Sequence, residues 1–531
     1  MSDDLNADVV IVGAGVAGGI TAHTLASAGV KVVLLEAGPR LDRGEIVERF
    51  RDAVKKDFMA PYPFAAHAPH PMVTNDTYLV QKGPQPYDTQ YIRAVGGTTW
   101  HWAAAAWRLL PSDFKLKSLY GVGRDWAIDY NEIEPYYQRA ETELGVSGEG
   151  DVGSPRANPY PMPKIPLSYM DQRFMDVLNA KGFNVVVEPV ARNSAMYDDR
   201  PPCCGNNNCM PICPIGAQYS GNMHVEKAET AGAQLIPDAV VFRIEAGPDR
   251  TIRAVHYKDP SGVEHRVAGR IFILAANGIE TPKLMLMSVD EAFSSGIGNS
   301  SDMVGRNLMD HPGTQVSFLA NEPLWPGRGP QEMTSVVNFR DGDFRRQYAA
   351  KKLHLSNAIH NDDIARRLLE KRIIGSQLDR DIRSQAARQL TINSFHEHLP
   401  EPQNRIVPSR DYRDAIGIPQ PEITYSLNDY VRESAKHTHE VYDQIAKLFG
   451  GTEIVHNDDF GHNNHMMGTV IMGTNPKDSV VDGDCRCHDH PNLFVAGSSV
   501  FPSAASVNPT LTIAALSLRM VDKIRNDLRR T

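Results

Sequence analysis

The stretch that decides the fold is "DVVIVGAGVAGGITAHTLASAGVKVVLLEAGPR", residues 8–40. A β-branched run, Val9–Val12, enters Gly13-x-Gly15-x-x-Gly18. The pattern predicts a helix over Ile20–Ala28 and a second strand over Lys31–Leu35, ending at Glu36. Strand, glycine turn, helix, strand and acid, in that order, make a dinucleotide-binding unit. Gly13 permits the tight turn, Gly15 lets the backbone approach a pyrophosphate, and Gly18 lets helix and strand pack closely. The helix start offers free N–H groups and a positive dipole end to the phosphates. Glu36 stands where a carboxylate accepts both ribose hydroxyls. These residues alone leave FAD and NAD open.

At 531 residues the chain has room for one large domain or two to four ordinary ones. Charged residues at 22% and hydrophobic ones at 41% indicate a soluble globular protein. A formal charge of −9 argues against the basic face of a nucleic-acid binder. The basic clusters "RDGDFRRQYAAKK" and "IARRLLEKR" are mixed with acids or read as solvated helix faces. No apolar run approaches the length that spans a bilayer, so no transmembrane segment is expected. "MSDDLNAD", residues 1–8, is acidic and polar, so no signal peptide is expected either. Alone, that reads as cytoplasmic; it does not exclude export on a partner that carries the signal.

Three more stretches carry a family resemblance: "RAVGGTTWHWAAAAWR" (93–108), "NNHMMGTVIMG" (463–473) and "NLFVAGSSVFPSAASVNPTLTIAALSLR" (492–519). With the first 40 residues they resemble the glucose–methanol–choline oxidoreductases almost end to end. "CCGNNNCMPICPIGA", residues 203–217, narrows the likeness to the catalytic subunit of bacterial FAD-dependent sugar dehydrogenase complexes. The resemblance implies an α/β fold: a Rossmann-like FAD-binding domain, a substrate domain of mixed β-sheet backed by helices, and an iron–sulfur loop insertion. It implies FAD as the cofactor. His465 matches the base that takes a hydroxyl proton while hydride leaves carbon for the flavin, and histidine suits that work near neutral pH. Asn508 matches the amide that orients the substrate oxygen; Asn464 and Ser356 match substrate-facing positions. Gly96, Gly97, Thr98, Val241, Ala276, Asn508 and Thr510 fall on segments that line FAD, and His101 stands where some relatives attach it covalently. Asp310 and His311 read as structural.

Four of the six cysteines crowd into residues 203–213. Zinc knuckles would want paired short spacings, and disulfides within so short a loop would be strained. An iron–sulfur cluster fits best: it takes thiolates from one compact loop, often followed by proline, here Pro214. Adjacent Cys203 and Cys204 have diverging side chains, so three ligands and a [3Fe–4S] cluster are expected. Spacing does not choose between these two; the resemblance implies Cys203, Cys209 and Cys213. Cys485 and Cys487 read as surface-loop residues.

"GDVGSPRANPYPMPKIP", residues 150–166, is a connector, so the FAD-binding domain is expected to be discontinuous: 1–48, 90–150, 190–315 and 455–531. A substrate domain is expected over 316–454, with 49–89 and 151–189 as excursions or connectors. "DDIARRLLEKRIIGSQLDRDIRSQAARQL" and 436–451 read as helical, "RIVPS" and "PEITYSL" as strands of that domain. A one-electron centre beside a flavin implies a protein acceptor. The resemblance implies a membrane c-type cytochrome subunit and a small signal-bearing subunit holding the chain on the periplasmic face of the inner membrane. Glucose or another aldose, oxidised at carbon 1, is the first expected substrate; fructose, sorbitol, gluconate and the C3 hydroxyl of a glycoside follow. An O₂-using oxidase and a non-catalytic electron-transfer subunit are the alternatives of other classes.

Overall fold

The computed structural model describes residues 5–71 and 78–529. Its first strand, β1 (Leu5–Val12), is buried along Val9–Ile11 and runs parallel to β2 (Val32–Leu35) on one side and to Glu264–Leu274 on the other. A strand buried on both faces needs apolar residues at successive positions, which is what this one has. The sheet has seven strands, in the order Gln234–Ile236, β2, β1, Glu264–Leu274, Ile252–Lys258, Val240–Ala246, with Leu493–Val495 pairing parallel to Glu264–Leu274. The helix α1 (Val16–Ala26) joins β1 to β2 and starts four residues before the expected Ile20. It packs against the helices Asn222–Thr230 and Thr510–Leu528. A Cβ on Gly18 would lie 1.9 Å from the Gly13 carbonyl oxygen, so only glycine allows this contact of turn and helix.

A second, antiparallel sheet stands beside it, in the order Thr452–Gly461, Gly313–Leu319, Gln389–His396, Lys351–Ser356, Thr334–Val336, Val185–Val187. Side chains alternate across a strand. Leu353 and Leu355 therefore join the core formed with the helices Tyr169–Asn179 and Asp429–Leu448, while Lys352, His354 and Ser356 face the other way. This unit reaches beyond 316–454. It takes Val185–Val187 and its neighbouring helix from the 151–189 stretch, begins at Gly313, and ends with a strand that crosses the expected boundary at 455. Arg405–Arg413 and Pro419–Thr424 are not in it: they pair with each other and with Val80–Gln81 in a separate sheet. The long helical stretch breaks into Asn361–Glu370 and Gly375–Ala386 at Arg372 and Gly375, both left-handed. The helix expected from 436 starts at Asp429, because the Asn428 side chain accepts the Val431 N–H and caps it.

Cys485 and Cys487 correct another expectation. Both are buried in the core at 2% exposure, held where the Cys487 N–H donates to Leu493 O and the Val495 N–H to Cys485 O. Burial pushes both thiols up to about 12, so they are unreactive. Among the described residues no helix is long and apolar enough to cross a membrane.

Candidate active site

A cavity of about 410 Å³ opens where the two sheets meet, and the glycine turn forms one end of it. Gly13 (φ +107°) turns the chain so tightly that a Cβ would meet Ala275 O at 2.7 Å. A Cβ on Gly15 would meet nothing nearer than Gly97 Cα at 4.0 Å, and Gly97 is itself left-handed (φ +57°). A Cβ on Gly97 would lie 3.0 Å from Gly15 Cα, so the two glycine backbones approach each other closely with no side chain between them. The first turn of α1 has no side-chain cap, so its N–H groups are open to an anion. Past the end of β2 the Glu36 carboxylate accepts from the Ala14 N–H at 2.8 Å and the Gly38 N–H at 3.2 Å. Burial raises it to about 7 despite those bonds, a state that hydroxyl donors would relieve. These features fit the diphosphate and ribose of FAD. Val241, Ala276, Thr98 and Thr510 line the same cavity, while Gly96 (φ +99°) and Gly18 are not among its lining residues. His101 lines it too, edge-on to Phe58 at 4.5 Å, with an Nε2 that has no hydrogen-bond partner among the described residues. Burial lowers this histidine to about 3, so it is neutral. Phe58 makes the 49–71 segment part of the cavity wall; residues 72–77 of that excursion lie outside the described residues.

At the opposite end a chain of hydrogen bonds fixes the state of His465. His311 Nε2 lies 3.1 Å from each of the carbonyls of Ala504 and Ala505. Carbonyls only accept, so that nitrogen carries the hydrogen. His311 is neutral, since burial lowers it to about 4, and its Nδ1 is therefore bare. That Nδ1 lies 2.8 Å from His465 Nδ1. His465 must donate there, which leaves its Nε2 bare, facing the Asn508 amide nitrogen at 3.4 Å. The orientation of Asn508 is set in turn by Lys352 Nζ, which donates to its Oδ1 at 3.3 Å. Asp310 holds the corner: its carboxylate accepts from the N–H groups of His311 and His465 and from the Tyr87 hydroxyl. Burial, then His311, Lys352 and His354, depress His465 well below its usual range, so it is a neutral base at pH 7.

Asp310 and His311, read as structural from sequence, thus touch His465 directly. Asn464 lines the cavity, but its Oδ1 is taken by the Gln90 N–H and the Thr89 hydroxyl, leaving only its amide N–H groups for a ligand. Ser356 is not among the cavity-lining residues. Lys352, on the same strand and likewise not a lining residue, acts on the site through Asn508 and forms an ion pair of 3.2 Å with buried Glu188. The alternation of "KKLHLS" was the signal for this, because it sets lysine and histidine opposite a leucine face.

The cysteine loop packs against the middle of the cavity. Met210 lines the cavity, between buried Cys209 and Cys213. Cys203 is half-buried and accepts the Gly205 N–H at 3.4 Å; burial pushes its thiol up, and Cys209 and Cys213 add to the rise. Cys204 is exposed. Arg43 donates to Cys213 O, Gln218 to Cys209 O and Gln331 accepts from the Met210 N–H, so the loop is tied on three sides. Among the described residues only Asp310, His311 and His465 bring ligand atoms within 4.8 Å of one another; the three sulfurs are not gathered on one ion-sized point.

Residues 90–313 and 400–517 match the family profile described as GMC oxidoreductase, and residues 11–71 match an NAD(P)-binding Rossmann-like domain. The chain is 49% identical to the fructose dehydrogenase large subunit of Gluconobacter japonicus, over 99% of both chains. It is 27% identical to the 2-methyl-1,2-propanediol dehydrogenase of Mycolicibacterium austroafricanum, over 97% of this chain and 95% of that one. A formate oxidase of Aspergillus oryzae superimposes over the full length of both chains with a TM-score of 0.68 at 16% identity, which speaks for the fold.

Proposed function

Because the chain belongs to the GMC oxidoreductase family, we propose that it is the catalytic subunit of an FAD-dependent sugar dehydrogenase whose electrons leave through an iron–sulfur cluster. The observation that carries the reading is the bare Nε2 of His465, fixed by His311 and set beside Asn508 in a cavity with a dinucleotide cradle at its far end. FAD, when bound, supplies the hydride acceptor. His465 takes the proton of the substrate hydroxyl at Nε2, while its Nδ1–H stays bonded to His311. Asn508 orients the substrate oxygen with the amide that Lys352 has turned toward it. Burial above all, then the surrounding His311 and Lys352, disfavours the protonated form of His465, so the ring rests neutral between turnovers. The unpaired Nε2 of His101 is the atom that would carry a covalent bond to FAD; yellow colour kept by acid-precipitated protein would show it.

Cys203, Cys209 and Cys213 are the thiols we assign to a [3Fe–4S] cluster, which supplies a one-electron exit. The place of Met210 in the cavity wall supports that route. We extend it to a c-type cytochrome subunit and a small signal-bearing subunit on the periplasmic face. Likeness to a chain named as a large subunit favours such an assembly.

The same likeness moves fructose ahead of the aldose expected from sequence. Dye reduction by the purified protein with fructose, glucose, sorbitol, gluconate and a methyl glycoside tests this. Fructose should give the highest kcat/KM, and His465→Ala should lower it by about 10²–10⁴-fold. Hydrogen peroxide as the main product would make the protein an oxidase. Flavin that no sugar reduces would overturn the reading.

A further inference from the structure

One cavity-lining residue has no role in the proton chain. Glu332 precedes the strand Thr334–Val336, and its backbone is pinned on both sides. The Asn357 N–H donates to Gln331 O at 2.7 Å and the Glu188 N–H to Met333 O at 2.8 Å. The side chain, 14% exposed, lines the cavity. Among the described residues nothing donates a hydrogen bond to its carboxyl: His354 Nε2, at 3.6 Å, is too far. Neighbouring Glu188 is the opposite case, with oxygens that accept from Ser335, Lys352 and Trp107. A carboxyl that faces the cavity without a protein donor is free to accept hydrogen bonds from a ligand there.

Resting on the reading of the site as a sugar oxidase centre, we propose that Glu332 is the specificity-determining residue that accepts hydrogen bonds from substrate hydroxyls remote from the carbon being oxidised. The groups around it suit the task. Lys352 and Arg192 favour its ionised form and Glu188 opposes it. Burial, then Glu188, raise it to about 7, while His354 is held neutral by burial. A carboxylate in such a place bonds hydroxyl donors about twice as strongly as a neutral acceptor would. It also penalises any substrate that lacks the matching hydroxyl, because the carboxylate is then left unpaired. Lys352 connects the two functions: its ammonium reaches Asn508 at the reacting end and Glu188 beside Glu332.

The test is a pairing of Glu332→Gln with deoxy analogues of the preferred sugar, in the flavin-loaded enzyme, by dye-linked steady-state kinetics. The expected result is a rise in KM of about ten- to a hundredfold with kcat within about threefold and flavin content unchanged. One deoxy sugar should lose a similar factor with the wild type and lose almost nothing further with the variant. If Glu332→Gln does not fold, the wild type alone decides. Its KM for the full sugar should fall as pH rises through about 7, and the KM for the matching deoxy sugar should not. A variant KM within twofold of wild type, or a changed flavin spectrum with KM unmoved, overturns the proposal while leaving the enzyme a sugar dehydrogenase. Wild-type enzyme that turns over no polyhydroxylated substrate overturns both.

Discussion

Replacing His311 tests the proton chain most directly. His311→Phe keeps a flat ring against Phe395, on which His311 now stacks at 5.8 Å, and removes the nitrogen that accepts from His465. The His465 Nδ1–H then has no partner in a buried place, at a cost of about 1–3 kcal/mol. The ring relieves that cost by carrying its hydrogen on Nε2, the atom that has to be bare. The working tautomer is depleted by the same energy, a factor of roughly 5–150. Rapid mixing of the oxidised enzyme with saturating sugar, without oxygen, reads this step as the rate of flavin bleaching. That rate should fall by the stated factor with KM and flavin content little changed, and His311→Gln, whose amide can still accept, should recover part of it. The pH profile adds a second reading. His465 works only when neutral, and its depressed pKa pushes the loss of activity to low pH, so the wild-type rate is flat across pH 6.5. A His311→Phe enzyme that bleaches at the wild-type rate refutes the tautomer argument.

Two other outcomes follow from the same geometry. Cys203→Ser should lose iron and transfer to a one-electron acceptor while sugar still bleaches the flavin, whereas Cys204→Ser should keep the iron; metal analysis and low-temperature paramagnetic resonance distinguish them. Lys352→Met leaves buried Glu188 without its cation, which should destabilise the fold by about 3–5 kcal/mol in denaturant titrations and also slow the chemical step through Asn508.

The dinucleotide unit was legible because its signals are local: glycines at 13, 15 and 18 and an acid at 36 have their meaning within one strand–turn–helix–strand. The resemblance singled out His465 and Asn508, and the structure brings the two together at 3.4 Å in one cavity. His311 was not legible, since its part depends on the carbonyls of Ala504 and Ala505, nearly two hundred residues away along the chain. Ser356 and Lys352 illustrate a finer limit. Both lie on one face of one strand and neither lines the cavity; only the fold sets Lys352 against Asn508. The extent of the second unit was misjudged for a related reason. Val185–Val187 is three residues long, and nothing within it announces that it pairs with Thr334–Val336, far along the chain, and closes that sheet. Cys485 and Cys487 sit in "DCRCHDH", a polar stretch that reads as surface; the strand beside them draws their two sulfurs inward.

The contrast among the six thiols has a practical use. Cys485 and Cys487 are sealed and held protonated, Cys209 and Cys213 are enclosed, Cys203 is half-buried, and Cys204 is the one exposed thiol. A maleimide dye or spin label offered to the native protein therefore has one address, with no cysteine needing removal first. That address adjoins the loop by which current is proposed to exit. A probe placed there would register a docking redox partner and measure its distance, turning an otherwise idle side chain into a built-in ruler.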